Sequence, residues 1–383
     1  MVDAARAGRT SAKWRAFPPD VLPLWVAEMD FPLAPPVARA LQDAIARSDV
    51  GYRWAGDLPD ALAEFSARRL GWSPDPARVL VLGDVLAAIA ESLRRLTGPH
   101  DAVVITPPVY PPFFGVTRDI VERPIVEVPL AGLELDLEGL EAAFRRPEVT
   151  AFLLSQPHNP TGSIVPLDTL AAVAEMARRH GVVVISDEVW TPLPLGGRSV
   201  PSYLSLGEDL TGPDVALVSA SKAFNLAGLK CAQVVAGSAT LADGLRKSIP
   251  VEVTYAAGQL GVIASIAAYR EGDEWLDATL ARITDNARLL GDLLARRIPQ
   301  VRYVEPEATY LAWLDCRDLG LGDDPAAVFL ERGRVALNPG PDFGEPGRGF
   351  VRLNLATTPD VIEEAVERMA RAVQAHGDGT MAP

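Results

Sequence analysis

The feature that most constrains this chain is a series of short apolar runs at 79–82, 103–105, 151–154, 182–185, 215–218 and 233–236, with helix-like stretches between them. A run that is apolar throughout is buried on both faces, and its alternation with helices is the pattern of a mostly parallel sheet covered by helices. In 84–96 the apolar residues Val85, Ile89, Leu93 and Leu96 fall on one helical face, and Asp84 is placed to cap it. Residues 109–118 and 167–180 are further helix candidates. The texture changes after 255. Two long helices are expected at 255–269 and 273–297, strands at 301–304 and 309–314, a helix near 324–332, strands near 335–337 and 350–354, and a closing helix at 360–374.

The expected architecture is therefore an α/β lobe followed by a smaller α+β lobe, since 383 residues exceed what one core usually holds. We place an extended, proline-rich segment at 1–35 that packs on both lobes, a large lobe at 36–275 and a small lobe at 276–383. The net charge of −14 disfavours nucleic acid and anionic membranes as partners. Two cysteines cannot staple a chain this long, which suits a reducing cytoplasm. No apolar run is long enough to span a bilayer, and residues 1–10 lack a signal-peptide core. The four histidines have no metal-ligand spacing, so no metal is expected.

Three motifs follow three of the predicted strands. They are Asn159-Pro-Thr-Gly162, Ser186-Asp187-Glu188 and Ser219-Ala-Ser221-Lys222. Each alone could be a turn, a cap or a surface charge. Together, at strand ends where open α/β sheets bind ligands, they supply what pyridoxal phosphate (PLP) needs. Lys222 is the candidate Schiff-base lysine, Asp187 the partner of the ring nitrogen, and Asn159 a donor to the ring oxygen. For the phosphate, Ser219 and Ser221 offer hydroxyls, Lys230 offers charge, and the helix beginning after Asp84 offers the N–H groups of Val85 and Leu86. The Asp84 carboxylate would repel phosphate, so we expect it to cap the helix. Tyr110 is placed to stack on the ring, and Arg352 to grip an amino-acid carboxylate with two hydrogen bonds.

These motifs resemble those of fold-type I PLP enzymes of the class I/II aminotransferase superfamily. Leu24-Trp-Val-Ala-Glu-Met-Asp-Phe31, Gly51-Tyr52-Arg-Trp54, Lys222-Ala-Phe-Asn225, Thr309-Tyr-Leu-Ala-Trp-Leu-Asp315 and Gly344-Glu-Pro-Gly-Arg-Gly-Phe-Val-Arg-Leu-Asn354 are similar, more narrowly, to the cystathionine β-lyase branch (MalY/PatB type). The resemblance spans roughly residues 13–374. It implies that Lys222 carries the coenzyme and moves the substrate proton. It also implies that Tyr52 reaches the phosphate of a neighbouring subunit in a homodimer, and that Trp25 helps close the site. Two positions depart from the branch: Trp190 stands where relatives carry histidine or tyrosine, and Glu28 where they carry aspartate. The second ring-oxygen contact at Trp190 is thus altered, because indole donates but does not accept.

The implied reaction is β-elimination from a small-molecule amino acid, cleaving a cysteine thioether to thiol, pyruvate and ammonia. An aminotransferase would use the same residues and is the competing reading. A PLP-binding regulatory or partner-binding role is a third.

Overall fold

A computed structural model describes residues 8–380. Its principal sheet contains Val79–Leu82 (β1), Ala102–Ile105 (β2), Ile125–Glu127 (β3), Val149–Ser155 (β4), Val183–Asp187 (β5), Val215–Val218 (β6) and Ala232–Ala236 (β7). Their order across the sheet is β1-β7-β6-β5-β4-β2-β3. All neighbours are parallel except β7, which runs antiparallel to both β1 and β6. Successive residues of a strand point to opposite faces, and the two faces feed separate cores. Val103, Ile105, Ile185 and Leu217 enter one core, while Val104, Val184 and Ala216 enter the other. Helices cover both faces, so strands buried on both sides are apolar throughout.

The six expected strands are present. The sequence reading missed β3, an edge strand whose residues are only partly buried. Helices Val85–Leu96, Leu167–His180 and Asp273–Arg297 form as expected. Asp84 caps the first, its Oδ1 accepting from the Ala87 N–H at 2.8 Å. Two expectations need correction. Residues 109–118 are not one α-helix, because Pro112–Gly115 runs into a wider π turn at Val116–Ile120. Pro35 and Pro36 are not in extended chain but open helix Pro35–Ala46, since a first-turn proline has no hydrogen bond to lose.

A second, antiparallel sheet contains Arg302–Tyr303 (β8), Leu311–Asp315 (β9), Asn338–Pro339 (β10) and Phe350–Asn354 (β11), in the order β10-β11-β9-β8. Residues 22–31 lie between the two sheets. Leu22–Pro23 pairs in parallel with Val335–Ala336. The Asn354 amide donates to the carbonyls of Val26 and Glu28 at 2.8 and 2.7 Å. On the other side, Asn225 accepts from the Met29 N–H at 2.9 Å and donates back to its carbonyl at 3.1 Å. The Lys-Ala-Phe-Asn and Arg-Leu-Asn motifs thus end in two asparagines that satisfy the backbone of residues 26–29, which lie outside any strand. Among the described residues no helix is long and apolar enough to cross a membrane.

Candidate active site

The loops after β4, β5 and β6, the first turn of helix Val85–Leu96, the 25–27 backbone and strand β11 surround a cleft of about 380 Å³. It is lined by Trp25, Asp84, Val85, Leu86, Tyr110, Asn159, Asp187, Trp190, Ser219, Ser221, Lys222, Lys230 and Arg352. Every site residue singled out in the sequence is thus in one place, except Tyr52. That side chain is 87% exposed, and its ring sits 5.6 Å from that of Tyr255, away from the cleft. Two surface hollows are larger, about 600 and about 560 Å³, but neither contains any of these groups.

Lys222 follows β6 on the short helix Ala220–Ala223. Its Nζ donates to the Ala27 carbonyl at 3.3 Å and lies 5.5 Å from the centre of the Trp190 ring. Burial, and next the positive charge of Arg352, lower its pKa to about 8. A neutral amine is then accessible near physiological pH, as a nucleophile requires.

Asp187 ends β5 and is buried. Its Oδ1 accepts from the Val189 N–H at 3.2 Å, and no cation lies within ion-pair distance of it among the described residues. Burial pushes it up to about 7, only partly offset by that N–H and by Lys222. The adjoining Glu188 turns away, accepting from the Tyr203 N–H at 2.7 Å and from the Ser186 hydroxyl at 3.0 Å. Of the two acidic residues, only Asp187 reaches the cleft.

Arg352 is also buried, on β11. It donates to Asn159 Oδ1 at 3.0 Å, to Asn338 Oδ1 at 2.6 Å and to the Trp25 carbonyl at 3.2 Å. All three acceptors are neutral, and burial lowers the guanidinium to about 10. A buried cation without an anion is costly, and a carboxylate entering this cleft would relieve it.

The expected phosphate donors are arranged differently from the sequence reading. The Ser219 hydroxyl does not point its proton into the cleft: it donates to the Cys231 carbonyl at 2.6 Å and accepts from the Ser221 N–H at 3.1 Å, capping the Lys222 helix. The Ser221 hydroxyl has no hydrogen bond among the described residues and lines the cleft. Lys230 Nζ pairs with Asp84 Oδ2 at 2.8 Å. Although burial acts to raise it, the Asp84 carboxyl is held below the usual range by the Lys230 hydrogen bond and the Ala87 N–H. Tyr110 meets Phe113 edge-on at 5.9 Å. Trp190 packs edge-on against Tyr310 at 4.8 Å, filling the wall with indole.

Residues that the sequence reading missed also act here. Asn338 supplies the shortest bond to Arg352, and the Tyr310 hydroxyl donates to the same Ala27 carbonyl as Lys222, at 3.1 Å. Tyr310 lay inside a recognised segment; nothing in the sequence marks a backbone carbonyl such as that of Ala27.

The donor set fits PLP. A buried carboxylate lacking a cation suits a protonated ring nitrogen, an amine of lowered pKa stands nearby, and a helix N-terminus with a free serine hydroxyl suits a phosphate.

A seven-stranded sheet with one antiparallel strand and a lysine after β6 define the fold-type I class. The sequence profile described as "Aminotransferase class I and II" matches residues 19–369, and the chain belongs to that family. It is 45% identical to a Mycobacterium leprae protein provisionally named a cystathionine beta-lyase, over 95% of each chain. It is 31% identical to the cystathionine beta-lyase PatB of Bacillus subtilis, over 96% of this chain and 98% of that one. A crystal structure from Corynebacterium diphtheriae, provisionally named a PLP-dependent beta-cystathionase, superposes with a TM-score of 0.93 at 34% identity over 98% of each chain.

Proposed function

We propose that this protein is a PLP-dependent carbon–sulfur β-lyase that converts a cysteine thioether and water to a thiol, pyruvate and ammonium. The joint placement of Lys222, Asp187 and Arg352 in one cleft, each with its charge modified by burial and unmatched by a protein counter-ion, supports a PLP enzyme acting on an amino acid; the similarity to proteins named cystathionine beta-lyase favours elimination over transamination. When bound, PLP supplies an electron-withdrawing ring that stabilises negative charge at the substrate Cα.

The chain's own groups do the rest. Lys222 Nζ would hold the coenzyme, and as a free amine of lowered pKa it would take the substrate's α-proton. Asp187 keeps the ring nitrogen protonated. The Asn159 amide and the Tyr110 ring would hold the coenzyme ring. Ser221, Lys230 and the N–H groups of Val85 and Leu86 hold the phosphate, while Ser219 positions the Lys222 turn. Arg352 binds the α-carboxylate and so fixes which bond at Cα is presented to Lys222. Trp25 and Trp190 form apolar walls that exclude water. The sulfur departs as thiolate without a strong acid, since thiols have a pKa of about 8.5.

Tyr52, exposed and outside its own cleft, fits a role in a partner's site, and we infer a homodimer with shared active sites. The large lobe at 36–275 and the small lobe at 276–383 would then each contribute one side of the cleft, with residues 1–35 joining them.

The test is incubation of purified protein with an S-alkyl cysteine in the absence of any 2-oxo acid. A lyase releases pyruvate and thiol continuously; an aminotransferase stops after one turnover. Lys222→Ala should lose both turnover and the borohydride-trapped coenzyme adduct, and turnover like the wild type in that variant refutes the reading.

A further inference from the structure

We propose that Asp342 reads the far end of the substrate and favours thioethers whose sulfur substituent carries a positive charge. This rests on the lyase reading and specifies which thioethers the cleft prefers.

Six charged side chains line the cleft among the described residues. Lys230 pairs with Asp84 at 2.8 Å, and in the lyase reading the two lie together at the coenzyme phosphate. In the lyase reading Lys222 and Asp187 are taken by the coenzyme, and Arg352 by the α-carboxylate. One charged lining residue remains, Asp342, whose carboxylate makes no hydrogen bond or ion pair among the described residues. Burial, and then the nearby carboxylate of Asp324, raise its pKa. Asp324 caps helix Pro325–Gly333 through the Ala327 N–H, and so adds negative charge to this rim. Arg348, a few residues on, is already held by Asp323 and Glu345 at 2.8 Å each.

The backbone fixes Asp342 in place. It lies in the turn Gly340–Phe343, directly after β10, whose Asn338 is paired in register with Arg352. The next residue, Phe343, packs its ring 5.1 Å from the Arg352 guanidinium. The Phe343 carbonyl accepts from the Val109 N–H at 2.9 Å, one residue before Tyr110. A Cβ at Gly340 would collide with the carbonyls of Gly347 and Phe350, so the turn is seated closely on its neighbours. Asp342 is thus tied at one end to the carboxylate-binding arginine and at the other to the ring-facing tyrosine. It is itself exposed, at the mouth of the cleft.

With the α-carboxylate on Arg352 and Cα at Lys222, the sulfur substituent extends toward this mouth. An ammonium group two or three atoms beyond sulfur meets an unpaired carboxylate, whereas an anion there meets repulsion from Asp342 and Asp324.

The experiment compares kcat/KM of the holoenzyme for S-(2-aminoethyl)cysteine, neutral S-propylcysteine and S-(2-carboxyethyl)cysteine, at low salt. Asp342→Asn should lower the aminoethyl-to-propyl ratio about three- to fivefold relative to wild type, the scale of one partly exposed charge pair. Asp342→Arg should raise the carboxyethyl-to-propyl ratio. Both effects should shrink with added salt. The coenzyme absorbance of each variant verifies that it is folded and loaded. Ratios that are the same in wild type and both variants overturn the assignment of Asp342 and leave the lyase reading standing. Absence of pyruvate from all three compounds overturns the lyase reading, and this inference with it.

Discussion

Arg352 Nη1 donates to Asn159 Oδ1 at 3.0 Å, joining strand β11 to the loop after β4 across 193 positions of sequence. The bond spends the amide oxygen of Asn159 and leaves its NH₂ for the cleft. The proposed carboxylate-binding group and the proposed ring-oxygen contact are therefore mechanically linked. Arg352→Lys removes the planar fork and this tether together. It should raise KM for the amino acid about tenfold or more, the effect of losing a charge-assisted hydrogen bond. It should also move the visible absorption band of the holoenzyme, because Asn159 is freed. Kinetics and a spectral pH titration measure the two effects; an unchanged band would separate the two residues.

Lys222 provides a pH prediction. Only the neutral amine attacks an aldehyde, and the Lys222 pKa is lowered to about 8, first by burial and then by Arg352. The rate at which apoprotein takes up PLP should rise with pH through a midpoint near 8. A midpoint near the free-lysine value of about 10.4 would contradict the buried placement. Removing the Arg352 charge with Arg352→Gln should move the midpoint upward.

Asp187 is buried, with no cation at ion-pair distance among the described residues, and is the proposed partner of the ring nitrogen. Asp187→Asn keeps its shape but cannot hold the ring nitrogen protonated. Turnover should fall about a hundredfold or more, on the scale of losing one preorganised electrostatic partner. Equilibrium dialysis should show weaker coenzyme binding. Turnover within a factor of about two of wild type would remove Asp187 from this role.

Tyr52 can be tested by subunit complementation. Lys222→Ala and Tyr52→Ala are each expected to be impaired as homodimers. A hybrid of the two contains one site with both native residues, if Tyr52 serves its neighbour. Refolding an equal mixture should restore about a quarter of wild-type activity, because half the dimers are hybrids with one native site each. No recovery would place Tyr52 outside the partner's site.

His158 makes stability depend on acid. It is fully buried, its Nδ1 lies 3.1 Å from the Thr161 hydroxyl, and burial lowers its pKa to about 4. The unfolded chain binds a proton near pH 6.5 and the folded chain does not, so stability is full above that pH and falls as pH drops toward 4. Asp187, Glu188 and Asp214, each pushed up to about 7 mainly by burial, act oppositely: their contribution is lost as pH rises through that value. The His158 part is therefore isolated by difference. Between pH 7 and pH 5, wild type should lose about 2 kcal/mol more than His158→Gln in denaturant titrations. Equal slopes would remove His158 from this account.

The sequence announced the central strands because burial on both faces makes them apolar throughout. It concealed β3, where Ile125 and Val126 are only partly buried and Glu127 is exposed, so that a charge enters the run. Helix Pro35–Ala46 was hidden because prolines that usually break a helix here begin one. Asn159, Asp187, Ser219, Ser221 and Lys222 were legible from motifs placed at strand ends. The direction of the Ser219 hydroxyl was not, since it depends on the Cys231 carbonyl brought beside it by β7. Asn338 was missed because its partner Arg352 becomes a neighbour only through strand pairing.

The ribbon at 22–31 is made early by the ribosome, yet its partners are Asn225, Tyr310, Val335 and Asn354. It can lock only after residue 354 has been synthesised. Because its Ala27 carbonyl receives both Lys222 and Tyr310, the last stage of assembly also completes the reactive centre. Competence for chemistry is thereby coupled to contacts of long sequence separation, and a nascent chain cannot acquire it before those distant partners have been made.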